Sequence, residues 1–219
     1  FSSLIELSMS TDDDRVYVPD YLKFILHPYT KNIYLNRKSN ITRIMFHTIE
    51  EEISKNQTRS FYGIEEIENL NDLYTKIIER LSGMDIETSE QELKGHLSKI
   101  HQSTIKDFDE FKNIGDFALK CIRIIEYITS NSTANKHPYF YKFSEKFVEA
   151  LYQIKNSLIS EITFSSKRGY FNLLNKYILK VRVPFEGTPL RGGQILGFLE
   201  TRNLKFDRVF ILDMNEGVI

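Results

Sequence analysis

The stretch FYKFSEKFVEALYQIKNSLISEI, residues 140–162, decides the fold class of this chain. Its large apolar side chains recur every three or four residues, which places them on one face of an α-helix. They are Phe140, Phe143, Phe147, Leu151, Ile154, Leu158 and Ile162. The pattern predicts one helix, roughly 35 Å long at about 1.5 Å per residue. An aromatic stripe at this spacing favours a packed core over a surface that stacks on nucleic-acid bases.

Apolar patterns with the same spacing lie on both sides of this stretch. They predict helices over residues 1–9, 19–26, 41–55, 71–81, 89–100, 105–128 and 169–178, with a break at 113–115 and a loop at 129–138. Ser89, followed by Glu90 and Glu92, is typical of a helix start with serine as the cap. Residues 1–179 are therefore predicted to form one helical part of a mainly α protein.

The pattern changes at Lys180. Residues 184–193 contain two prolines and three glycines, and two apolar runs follow at 194–199 and 208–213. The second run is nearly continuous, as in a parallel strand that is covered on both faces. Residues 180–219 are therefore predicted to be a short β-strand fragment of an α/β domain. Its expected core residues are Leu199, Leu204, Phe206, Val209 and Phe210.

Composition limits the classes of function. The net charge of the 219 residues is −1, whereas a freestanding nucleic-acid binder usually carries a basic excess. Any DNA contact must therefore be local or shared with other parts of a larger protein. The single cysteine, Cys121, fits a reducing cytoplasm and is expected to be a buried apolar side chain. The apolar runs are far shorter than the ~20 residues that a membrane span needs, so we expect a cytoplasmic protein without a membrane partner.

Catalytic motifs are missing from the sequence, and two partial matches fail on geometry. Asp72 with Glu92 and Lys94 resembles the pattern of two-metal nucleases, but Glu92 and Lys94 lie in a helical pattern where residues two apart diverge. His96 and His101 are five residues apart, so they point to different helix faces and are poor joint metal ligands. No catalytic residue, metal or cofactor is therefore predicted for this chain.

The residues at both ends of the sequence predict that this chain is an internal piece of a longer polypeptide. Phe1 begins inside an amphipathic pattern, and Ile219 follows Asn-Glu-Gly-Val without a polar tail.

The tail GQILGFLETRNLKFDRVFILDMNEG, residues 193–217, resembles the fifth conserved motif region of superfamily 1 helicases. The form of this motif is the one typical of AddB-like helicase–nuclease subunits, which are PD-(D/E)XK nuclease family proteins. Residues 2–7 and 21–29 are similar, more weakly, to the AddB-like stretch that follows the fourth helicase motif. The resemblance implies that residues 1–179 are a helical 2B-like subdomain inserted into a RecA-like α/β domain. Residues 180–219 would then be a fragment of domain 2A.

The resemblance also implies a function. AddB-like subunits take part in ATP-dependent helicase and exonuclease action at DNA double-strand breaks, with an AddA-like partner and with Mg²⁺ in a nuclease domain that this chain lacks. Working helicases carry threonine, histidine and glutamate where this chain has Gly197, Leu199 and Lys205. Gly197 and Leu199 remove polar groups that help to couple DNA to the nucleotide, and Lys205 reverses a charge. The chain is therefore expected to be a non-catalytic scaffold that guides DNA.

Arg202 is the residue that we expect to contact a DNA phosphate, since a guanidinium fork suits that group. A salt bridge from Arg202 to Glu200 or Asp207 is the structural alternative. Thr201, Asn203 and Lys205 are further candidates for nucleic-acid binding.

A second function stays open for the helical part. It could be a protein–protein interaction module that docks a partner subunit without contacting DNA, which the acid-rich stretch 50–92 and the nearly neutral net charge favour.

Overall fold

The computed structural model describes residues 1–12, 14–55, 58–184, 195–197 and 205–212. The chain divides into two compact units, Phe1–Val183 and Pro184–Ile219. The first unit is mainly helical, as the apolar spacing predicts.

Ten α-helices and one two-stranded sheet are present among the described residues. In chain order they are α1 (Ser2–Ser10), β1 (Arg15–Tyr17), α2 (Val18–Ile25), α3 (Pro28–Lys31), α4 (Ser39–Ser54), β2 (Phe61–Gly63), α5 (Ile64–Glu68), α6 (Leu73–Ser82), α7 (Glu90–Thr104), α8 (Ile114–Asn131), α9 (Phe140–Lys155) and α10 (Lys167–Ile178). Short 3₁₀ turns at Lys106–Phe108 and Thr133–Lys136 flank α8.

Side-chain caps explain two of the predicted boundaries. The Ser89 hydroxyl accepts from the backbone N–H of Glu92, whose carboxylate accepts in return from the Ser89 N–H. This reciprocal pair satisfies two N–H groups that a helix start leaves without partners. The break predicted near residue 114 is the start of α8, where the Asn113 side chain accepts from the Asp116 N–H at 2.8 Å.

An aromatic cluster anchors α10 to the middle of the first unit. The Phe117 ring on α8 lies 5.6 Å from the Tyr170 ring and 5.9 Å from the Phe171 ring, both on α10. Phe108 and Phe111, which lie between α7 and α8, pack against the same rings. Aromatic pairs at this distance stabilise a core beyond their buried area alone.

The sequence predicts one helix over residues 140–162, but the observed helix is shorter than this apolar stripe. Helix α9 ends at Lys155, and Asn156 already leaves helical geometry. The Ser157 hydroxyl donates to the Ile154 carbonyl, the kind of local bond by which serine competes with helix continuation. Leu158 and Ile162 are consequently exposed, and Phe143 is 48% exposed although it lies within α9. The prediction that the whole stripe is core is wrong at these three positions.

Two further local predictions differ from the structure. The chain after α1 leads into β1, a strand that the apolar spacing does not predict, and β1 pairs antiparallel with β2 through Val16 and Tyr62. Strands of three residues are too short to show an alternating pattern. The loop expected at 129–138 is replaced in part by the end of α8 and a 3₁₀ turn, in which the Ser132 hydroxyl accepts from the Ala134 N–H.

The two β-strands predicted in residues 194–213 are not formed in the described part of the second unit. Residues 195–197 and 205–212 are neither helix nor strand. Val209 and Phe210, expected in the core, are 61% and 87% exposed, and Phe206 is 39% exposed. A parallel strand needs neighbouring strands to pair with its backbone groups, and the described residues of this unit supply none. Leu199 and Leu204 lie outside the described residues.

Candidate nucleic-acid interface

Most of the predicted phosphate site lies outside the described residues. Arg202, Thr201 and Asn203 belong to the residues that the structure does not describe, so their contacts stay predictions. Lys205 is described and exposed, in a segment without regular secondary structure. Its ammonium group is accessible to an anion, but no second predicted site residue can be placed beside it.

The two helix-borne histidines belong to separate buried hydrogen-bond networks. The Nε2 atom of His96 lies 2.7 Å from the Thr42 hydroxyl on α4. The Nε2 atom of His101 lies 2.9 Å from the Tyr21 hydroxyl, and its Nδ1 atom lies 2.7 Å from the Glu68 carboxylate. The histidines therefore do not converge, and the described residues contain no cluster of His, Cys, Asp or Glu that could hold a metal ion.

Protonation of these networks follows from their burial. Burial lowers the pKa of His101, and the opposing hydrogen bond and charge of Glu68 do not reverse that shift. Burial alone would raise the pKa of Glu68, but the His101 hydrogen bond and the nearby charges outweigh it and lower that pKa. A neutral His101 that donates from Nδ1 to Glu68 and accepts at Nε2 from Tyr21 satisfies all three groups. The arrangement joins α2, α5 and α7 and is structural in character.

Cys121 on α8 is completely buried, as predicted. Burial raises the pKa of its thiol well above the usual range. The thiol is therefore not a nucleophile in the folded chain.

An open, aromatic-lined cavity of about 670 Å³ lies in the first unit. Helices α1, α3, α8 and α9 and the chain after α10 contribute to its walls. Six aromatic rings line it: Phe1, Tyr29, Tyr139, Phe140, Phe143 and Phe147. Its polar lining consists of Ser2, His137, Ser144 and Lys146, and none of its lining residues is acidic. The volume is within the range of small-molecule sites, about 300–1,000 Å³.

Charge is divided unequally along the chain. Residues 1–135 contain 22 Asp and Glu against 16 Lys and Arg, a net charge of −6. Residues 136–184 contain three acidic residues, Glu145, Glu149 and Glu161, against nine basic ones, a net charge of +6. The nine are Lys136, Lys142, Lys146, Lys155, Lys167, Arg168, Lys176, Lys180 and Arg182. The overall charge of −1 therefore conceals a basic region that contains α9 and α10.

One residue of this basic region, Lys146, lines the aromatic cavity, and three others are sequence neighbours of lining residues. Lys136 precedes the lining residue His137, and Lys180 and Arg182 alternate with the lining residues Val181 and Val183. These three cations and Lys176 are exposed, and none of them forms an ion pair with another described residue. Lys146 lines the cavity itself and pairs with Glu149 at 2.7 Å. The cavity thus has aromatic walls, one basic lining residue that is paired, and no acidic lining residue.

An adjoining face of α9 has a different character, although its hollow shares Ile125 and Ser144 with the aromatic cavity. Tyr141, which is 59% exposed, lines a second, more open hollow together with Glu126 and Glu145. Exposed aromatic rings of α9 therefore line two adjoining hollows, and of these two only the hollow lined by Phe143 and Lys146 has no acidic lining residue.

The net charge of the whole chain did not reveal the basic region of residues 136–184, so the sequence prediction missed it. A charge count in windows of about 50 residues separates the acidic and basic regions without any structure. The aromatic lining could not be found in the same way, because the apolar spacing assigns Phe143 and Leu151 to one stripe, and only packing shows that Phe143 is exposed.

No helix among the described residues is both long enough and apolar enough to cross a membrane. No family model, curated protein or solved structure matches the chain.

Proposed function

We propose that this chain is a non-catalytic piece of an AddB-like subunit of a bacterial helicase–nuclease and that it holds and guides DNA during double-strand break repair. The resemblance of residues 193–217 to the fifth helicase motif region supports the family. In this proposal the parent protein acts on DNA ends with an AddA-like partner, and Mg²⁺ serves a nuclease domain elsewhere in the parent.

The charge division is the observation that carries the DNA-guiding role. A net charge of +6 lies within residues 136–184, directly before the helicase-like tail in the sequence. Lysine and arginine bind nucleic acid largely by neutralising phosphates and releasing counterions. Exposed cations such as Lys176, Lys180 and Arg182 supply this interaction without a catalytic group.

A charge-reversal experiment on the 219-residue chain tests the role. The triple variant Lys176→Glu, Lys180→Glu, Arg182→Glu is compared with Arg37→Glu, Lys38→Glu, Lys99→Glu, which makes the same charge change on exposed residues of the acidic region. Binding of a fluorescein-labelled DNA with a single-stranded end is measured by anisotropy at several salt concentrations. We expect the first variant to bind roughly tenfold or more weakly and to have a shallower salt slope, whereas the second changes little. Equal losses in both variants contradict a role for the basic region.

Arg202 is tested separately, since its contacts lie outside the described residues. Arg202→Ala is expected to weaken DNA binding and to lower the slope of log affinity against log salt by about one unit or less. Unchanged affinity across the salt titration would assign Arg202 to the salt-bridge alternative.

The acidic region favours a second candidate function for part of the helical unit. Residues 1–135 carry a net charge of −6, which repels phosphate and suits a basic surface on a partner protein. In that case the helices dock a partner subunit and never touch DNA. Photo-crosslinking to DNA followed by peptide mapping separates the two functions: crosslinks confined to residues 193–219 support docking, and crosslinks within 136–184 support DNA guidance.

A further inference from the structure

We draw no further inference here: the strongest candidate, the open aromatic-lined cavity between α3, α8 and α9, is an unpartnered apolar face, and nothing in the part of the chain that the structure describes shows what covers it.

Discussion

The hydroxyl of Tyr21 on α2 and the Nε2 atom of His101 on α7 lie 2.9 Å apart in a region from which solvent is fully excluded. The residues are 80 positions apart in the sequence, so their bond joins two distant parts of the first unit. We expect Tyr21→Phe to destabilise the chain by about 1–3 kcal/mol, because the imidazole acceptor is left buried without a donor. Urea unfolding measures the loss. Tyr141→Phe, at an exposed ring, is the matched control and should change stability by less than about 0.5 kcal/mol; equal effects would show that the bond is dispensable.

Acid is expected to destabilise the chain through His96. Burial and, to a lesser degree, the charge of Lys99 lower the pKa of His96 to about 4 from a usual 6.5. The pKa of His96 is lower in the folded chain than in the unfolded chain. The contribution of neutral His96 to the free energy of unfolding is therefore complete above pH 6.5 and is lost as the pH falls towards 4. It amounts to about 3 kcal/mol, at about 1.4 kcal/mol per pH unit. His101 also has a lowered pKa and adds in the same direction.

The substitution His96→Gln isolates the contribution of His96. Glutamine does not titrate and retains an amide that can bond to Thr42. The slope of unfolding free energy against pH between 6.5 and 4.5 should therefore fall by about 1.4 kcal/mol per pH unit, the effect of one proton. Urea titrations at three or four pH values measure both slopes. An unchanged slope would mean that His96 titrates normally in the folded chain.

Two leucines seven residues apart provide a test of where α9 ends. Leu151 is completely buried, whereas Leu158 is fully exposed beyond the end of the helix. Leu151→Ala is expected to cost about 2–5 kcal/mol through lost burial and a residual cavity. Leu158→Ala should change stability by less than about 0.5 kcal/mol. Comparable losses in thermal or urea unfolding would instead support one continuous helix to residue 162.

The capping pair at the start of α7 is expected to stabilise the fold measurably. Ser89→Ala removes the hydroxyl that accepts from the Glu92 N–H and should cost about 1 kcal/mol. Ser166→Ala is the control, because Ser166 occupies the same position before α10 without a side-chain capping bond. The difference between the two variants in urea unfolding gives the contribution of the bond. No difference would indicate that solvent replaces it fully.

Cys121 reports on global unfolding. Its thiol is buried and its pKa is raised, so a disulfide reagent at pH 8 should react at a negligible rate with the folded chain. Reactivity should appear along the same urea curve as the loss of helical circular dichroism. Stoichiometric labelling without urea would show that α8 opens locally.

Helix positions were largely predictable from the sequence, and their ends were predictable only where a cap marks them. Ser89 and Asn113 carry their signals in the residues themselves, because a short polar side chain can bond to its own helix start. No such signal precedes Leu158. Its spacing from Leu151 predicts a position on the same helix face, but α9 ends at Lys155, before Leu158 is reached. The β1–β2 pair could not be predicted, since it depends on a contact between residues 46 positions apart, Val16 and Tyr62.

The candidate interface was less accessible to sequence reasoning. The exposed rings belong to the same apolar pattern as the buried ones, so Phe143 and Phe147 are indistinguishable before packing is known. The spacing of His96 and His101 predicts only that their side chains point in different directions. Their hydrogen-bond partners could not be predicted, because these lie on other helices. Arg202, Thr201 and Asn203 stay predictions that no described contact tests.

The unequal distribution of charge gives residues 136–184 a net charge opposite in sign to that of the rest of the sequence, although the net charge of the chain is nearly zero. A polyanion attracts this basic region and repels the acidic residues 1–135, so we expect the chain to approach such a polymer through residues 136–184. The association rate should consequently fall steeply as salt shortens the screening length from about 30 Å at 0.01 M to about 8 Å at 0.15 M. The same property predicts retention on both cation- and anion-exchange media near pH 6.6, where a protein with evenly distributed charge would bind neither.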